Sequence, residues 1–112
     1  MQIAERESGS VTVLDLSGKI TLGEDGTLLK DKVQSLLHQG KKQLLFNLAQ
    51  VSYVDSAGLG ALVSAYTTVT REGGSLKLVN VTKKLQDLLS ITKLLTVFET
   101  FDSEDEAVRS FR

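Results

Sequence analysis

The chain has 112 residues, no cysteine and a formal net charge of -1. That length can bury one hydrophobic core without disulfides or metal, so a single domain over residues 1–112 is predicted. The small net charge argues against direct binding of nucleic acid, and the lack of cysteine excludes a zinc–thiolate site. No apolar run reaches the roughly 18 residues of a membrane span, and the first residues lack the basic start of a signal peptide. We therefore expect a soluble domain in the cytoplasm.

The first third of the chain predicts a β-hairpin followed by a helix. The expected elements are a strand over 2–7, a turn at 8–10, a strand over 11–16 that Gly18 ends, and a helix over about 25–39 that Gly40 ends. The second strand is rich in β-branched residues, and the helix carries apolar residues at i, i+4 spacing. The single histidine, His38, falls at the end of this helix. With no second histidine, a metal site is not expected.

The rest of the chain alternates strands with helices. The expected elements are a strand over 43–48, an extended stretch at 51–54, a helix over about 57–72, a strand over 76–81, a helix after Thr82, a short strand over 95–98 and a helix after Ser103. Thr82 has the position of an N-cap, and Ser103 with Glu106 forms a capping-box pattern. The order β-β-α-β-α-β-α-β-α predicts an α/β fold, with a mixed, mostly parallel sheet of four to five strands and about four packed helices.

Residues 54–60, Val-Asp-Ser-Ala-Gly-Leu-Gly, link the most apolar strand to the most regular helix. Asp55 and Ser56 fall at the helix N-terminus, where one of them can serve simply as the cap. Gly58 and Gly60 lie in the first turn, although glycine is less favourable than alanine in a helix by about 1 kcal/mol. Two explanations stay open: the turn is bare so that a partner can approach it, or it packs closely against a neighbouring strand.

Catalysis by this segment is not expected. A serine hydrolase needs a base and a Gly-x-Ser-x-Gly turn, but Val54 stands at the first glycine position and His38 belongs to another helix. The glycines after Ser56 do not complete a dinucleotide-binding fingerprint, because Val63 takes the place of the third glycine. The acids at 102–106 point in different directions around a helix, which is typical of surface charge. No catalytic residue, cofactor or metal is therefore predicted.

The stretch from Phe46 to Leu62, centred on Asp-Ser-Ala-Gly-Leu-Gly, resembles the signature of the STAS domain. More specifically, it resembles that of the bacterial anti-sigma-factor antagonists. The similarity extends to Val11–Gly18 and to Gly73–Asn80, so it covers nearly the whole chain and implies a STAS-like fold. The chain differs from the family pattern at Ile20-Thr21, where many antagonists carry Leu-Asp. This difference leaves the identity of the partner open.

The resemblance also implies a role. Such antagonists bind an anti-sigma factor that is a serine kinase, and they thereby release a sigma factor for transcription. The kinase phosphorylates the serine that matches Ser56, which breaks the complex, and a serine phosphatase restores it. The implied partner surface comprises Gly23, Glu24, Asp25, Asp55, Ser56, Ala57, Gly58 and Gly60. The alternative is a STAS module that acts as a constitutive scaffold in a signalling or lipid-transport complex, with Ser56 as a mere cap.

Overall fold

The computed structural model describes residues 1–111. Its elements are β1 (Gln2–Ser8), β2 (Val11–Ile20), α1 (Glu24–His38), β3 (Gln43–Val54), α2 (Ser56–Arg71), β4 (Ser75–Val79), α3 (Lys83–Ile91), a 3-10 helix (Leu94–Thr96), β5 (Thr100–Phe101) and α4 (Glu104–Ser110). This order confirms the predicted α/β fold and the predicted alternation of strands and helices. No helix among residues 1–111 is long and apolar enough to cross a membrane.

The strands form one mixed sheet in the order β1-β2-β3-β4-β5. β1 is antiparallel to β2, and the other neighbouring pairs are parallel. Side chains alternate between the two faces of a strand, so Phe46 packs with α1, α2 and α3 while its neighbour Leu45 packs with Ala107 of α4. The main core therefore lies under three helices, and a smaller core lies under α4.

β2 continues beyond Gly18, so the prediction that this glycine ends the strand is wrong. Gly18 has φ 88°, a conformation that glycine adopts easily, and the pairing with β3 shifts register beside it. The strand then runs on to Ile20, whose side chain is buried. Ile20 pairs with Val54, so β2 and β3 end side by side just before α2 begins.

The predicted strand over 95–98 is also wrong. Leu94–Thr96 is a 3-10 helix, and the fifth strand is Thr100–Phe101. Phe98 is buried in the main core and packs edge-on against Tyr66, with ring centroids 5.3 Å apart. The apolar residues of this run mark burial, and a short apolar run does not distinguish a strand from a helical turn.

Candidate functional site

Ser56 is the first residue of α2 and is exposed to solvent. Its hydroxyl makes no hydrogen bond with another side chain or main-chain group of residues 1–111. The first turn of a helix has free N–H groups and the positive end of the helix dipole, which favour an anion. The serine therefore presents an uncommitted hydroxyl at a position where a negative charge is tolerated.

Asp55, and not Ser56, is the N-cap of α2. The main-chain N–H of Gly58 donates to Asp55 Oδ1 at 2.7 Å. The other carboxylate oxygen, Oδ2, accepts the main-chain N–H of Leu22 at 3.2 Å. Asp55 thus caps α2 and at the same time ties the segment between β2 and α1 to the start of α2.

The segment before α1 is ordered by a second carboxylate. Asp25 Oδ2 accepts the main-chain N–H of Thr21 at 2.9 Å and its hydroxyl at 3.0 Å. The amino group of Met1 lies 3.2 Å from Asp25 Oδ1. The main-chain bond from Thr21, followed by the bonds from the amino group and the Thr21 hydroxyl, lowers the pKa of Asp25. Gly23, at φ 100°, adopts a backbone conformation in this turn that is open mainly to glycine.

The structure brings the two sequence-predicted segments, 23–25 and 55–60, to the same end of the sheet, where β2 and β3 finish side by side. Besides the bond from Leu22 to Asp55, a groove of about 310 Å³ between α1 and α2 is lined by Leu22 and Gly23 on one side and by Ala57 and Ala61 on the other. Leu22 has 81% of its surface exposed. In the sequence, Leu22 is distinguished only as an apolar residue within a polar connection. No pattern in the sequence predicts that it lies close to Asp55.

The two glycines of the first turn have different environments. Gly58 is buried, and a Cβ there would overlap the main-chain carbonyl of Ile20. Gly60 is exposed, and a Cβ there would meet no atom within 4 Å. The absence of a side chain at Gly58 is therefore explained by packing of α2 on the end of β2, while Gly60 keeps the surface of the turn flat.

The one histidine of the sequence is remote from Ser56. His38 lies beside Arg71 at the C-terminal end of α2, which the helix rise places about 22 Å from Ser56. A general base has to come within hydrogen-bond reach of the serine. Among residues 1–111, no group of three or more histidines, cysteines or acids is arranged to hold a metal ion.

Comparison with known proteins identifies the fold family. The profile of the STAS domain matches residues 2–107. The chain belongs to the STAS domain family. One relative is the anti-sigma-B factor antagonist of Bacillus subtilis (strain 168), 36% identical over 86 residues that make up 77% of each chain. The family resemblance seen in the sequence is thereby confirmed.

Solved structures of STAS proteins superpose closely on this chain. The crystal structure of a candidate anti-sigma factor antagonist from Thermotoga maritima has a TM-score of 0.89 and 25% identity, and the match covers 98% of this chain and 94% of that one. The Bacillus cell fate determinant SpoIIAA in its phosphorylated form has a TM-score of 0.75 at 18% identity, with 99% and 100% of the two chains covered. The second match is evidence of a shared fold alone.

Proposed function

We propose that this STAS protein is an anti-sigma-factor antagonist, and that phosphorylation of Ser56 switches it off. In this proposal it acts in the cytoplasm and performs no catalysis. It binds an anti-sigma factor that is also a serine kinase, and a serine phosphatase returns it to the binding form. The observation that carries the proposal is the exposed, uncommitted hydroxyl of Ser56 at the N-terminus of α2, beside the segment that Asp55 holds in place.

The chemistry of the turn supports a switch that alters binding and leaves the fold intact. A phosphate on Ser56 brings about -1.5 to -2 charges. The free N–H groups of the first turn accommodate it, so α2 persists. A partner covering Ser56 and Gly60 would desolvate that charge next to the Asp55 carboxylate. An unpaired charge buried in an interface costs roughly 2–5 kcal/mol, which is enough to release a partner.

The partner surface in this proposal is formed by two segments. One is Gly23–Asp25 with the exposed Leu22, and the other is Asp55–Ala57 with Gly60. Gly58 contributes indirectly, because its packing on Ile20 sets the position of the first turn. Leu22 supplies exposed apolar contact area, and Glu24 and Asp25 add negative charge to the same segment.

The test is to identify the partner and then the site of modification. The full chain is used as bait in a pull-down from the source cells, and the captured proteins are identified by mass spectrometry. The captured kinase is then incubated with the chain and ATP, and the phosphorylated residue is mapped. We expect a single phosphate on Ser56, and none on Ser56→Ala. Phosphate at another residue, or none with a captured kinase that is active on other substrates, would contradict the proposal.

A further inference from the structure

The second half of β3 has a strand neighbour on one side only. β4 pairs with Gln43–Asn47, whereas β2 pairs with β3 as far as Val54. The N–H of Asp55 donates to the carbonyl of Ile20, so the main-chain groups of the preceding Val54 face away from β2. Within residues 1–111, no hydrogen bond joins the main chain of residues 50–54 to α3. This part of β3 is therefore an open strand edge.

A groove runs along this open edge. It has a volume of about 210 Å³ and lies between residues 51–54 of β3 and the first turns of α3, with Leu88 in its wall. Tyr53, at 52% exposure, stands at its rim. Ile91, one helical turn beyond Leu88, is 79% exposed and continues the apolar face of α3. An unpaired edge beside exposed apolar side chains is the arrangement that β-strand addition uses.

One positive charge lines the groove. Lys84 is the one charged residue in its lining among the described residues, and it forms no ion pair with any of residues 1–111. Lys83, next to it in the chain, is also exposed. Both belong to the first turn of α3, where the helix dipole adds positive potential. The carboxylates of a bound acidic segment would lie close to these positive charges.

We propose that the groove between β3 and α3 binds an extended segment of a partner protein, rich in apolar and acidic residues, which adds a strand to the open edge of β3. The main chain of this segment pairs with Val54, its apolar side chains pack on Leu88, Ile91 and Tyr53, and its carboxylates face Lys84. The stretch of α3 from Lys84 to Ile91 spans about 10 Å, which corresponds to about three residues of extended chain. The proposal is independent of any modification of Ser56.

The experiment selects a displayed library of random ten-residue peptides on the full chain. We expect enriched peptides in which apolar and acidic residues alternate. In complex with such a peptide, the Val54 amide should exchange with solvent at least tenfold more slowly. Lys84→Glu should weaken binding at least two- to fivefold at low salt, because the loss of one exposed ion pair alone predicts about that much and the new carboxylate adds repulsion. Lys30→Glu, on the exposed surface of α1, is the matched control and should leave the affinity unchanged.

A second readout tests strand addition directly. Replacing the peptide residue that pairs with Val54 by proline removes a main-chain donor and should abolish binding. Four outcomes overturn the proposal: no enriched peptide, selection of lysine-rich peptides, unchanged exchange of the Val54 amide, or equal binding of the proline peptide. None of them bears on Ser56, because the selection contains no kinase and no ATP.

Discussion

Gly58 in the first turn of α2 packs directly on the main-chain carbonyl of Ile20 at the end of β2. A methyl group at this position would overlap both atoms of that carbonyl, which are part of the sheet and cannot move aside easily. We expect Gly58→Ala to push α2 off the end of β2 and to lower the free energy of unfolding by about 1–3 kcal/mol or more. Urea denaturation of the full chain at neutral pH measures this change.

Gly60→Ala is the matched control for Gly58→Ala, two residues further along the same helix. A Cβ at Gly60 meets no atom within 4 Å, so only helix propensity changes. Alanine is more favourable than glycine in a helix interior by about 1 kcal/mol, and somewhat less in a first turn. We therefore expect Gly60→Ala to be neutral or stabilising. Equal destabilisation by the two substitutions would contradict the difference in packing.

The contrast between the caps and Gly58 shows which features can be predicted from sequence. Thr82 accepts the N–H of Leu85 at 3.3 Å, and Ser103 accepts that of Glu106 at 3.5 Å, as their patterns predict. A cap involves residues three positions apart, so the local sequence contains the whole interaction. The need for glycine at position 58 arises from its packing against Ile20, which lies much earlier in the chain. Sequence alone therefore leaves open whether the bare turn serves a partner or the core.

The candidate site, too, can be predicted from sequence where its interactions are local and not where they join distant residues. The segment around Ser56 has a recognisable pattern, and its position at the start of a helix follows from the strand before it. The bond between Asp55 and Leu22 joins residues 33 positions apart, and no periodicity announces it. Two local signals were ambiguous. A glycine such as Gly18 can end a strand or lie within one, and an apolar run such as 95–98 can form a strand or a helical turn. In both cases the tertiary packing decides which structure forms.

The two hydrogen bonds of Asp55 predict two separable effects of its removal. Asp55→Ala removes the cap of α2, which should cost about 1–2 kcal/mol of stability in urea denaturation. It also frees the N–H of Leu22. Hydrogen exchange of the Leu22 amide should therefore accelerate by more than the loss of global stability explains. Thr82→Ala is the control, because it removes a cap that holds only its own helix. We expect it to cost about 1 kcal/mol without accelerating exchange at Leu22, and the same acceleration in both variants would argue against the link.

Asp15 predicts an acid-dependent part of the stability. The Arg6 guanidinium, whose Nη2 lies 2.9 Å from Asp15 Oδ1, lowers the pKa of this carboxyl below its usual 3.8, and the amide of Asn47 lowers it further. The folded chain therefore binds this proton less readily than the unfolded chain. The stabilisation is complete above the pKa of this carboxyl in the unfolded chain and is lost as the pH falls through the lower folded value.

The measurement is the urea midpoint as a function of pH for the native chain and for Asp15→Asn. The native chain should lose more stability than the variant when the pH falls from about 5 to 2. Asp31→Asn removes an exposed charge on α1 and leaves the Arg6–Asp15 pair intact, and it is the matched control for the substitution. An identical pH profile for the native chain and Asp15→Asn would refute the contribution of the Arg6–Asp15 pair.

The N-terminal position of Ser56 predicts that a negative charge there leaves the fold stable. In Ser56→Asp, the favourable interaction with the helix dipole, about 0.3–1 kcal/mol, opposes repulsion from Asp55. We expect the free energy of unfolding to change by less than about 1 kcal/mol. Thr70→Asp places the same charge at the exposed C-terminal end of α2 and should be the less stable variant. A larger loss from Ser56→Asp than from Thr70→Asp would mean that the turn does not accommodate an anion.

Under the proposed function, the same charge that leaves the fold stable should weaken binding to the anti-sigma factor. Ser56→Ala removes only an uncommitted hydroxyl, so its affinity in a titration calorimetry experiment should match that of the native chain. Ser56→Asp places a carboxylate beside Asp55 in the proposed contact, and we expect its affinity to fall by at least about tenfold, a cost of 1.4 kcal/mol. When urea denaturation shows that Ser56→Asp keeps the fold, this loss reports on the interface. Equal affinities of the two variants for a captured partner would favour the constitutive scaffold, in which Ser56 has no regulatory role.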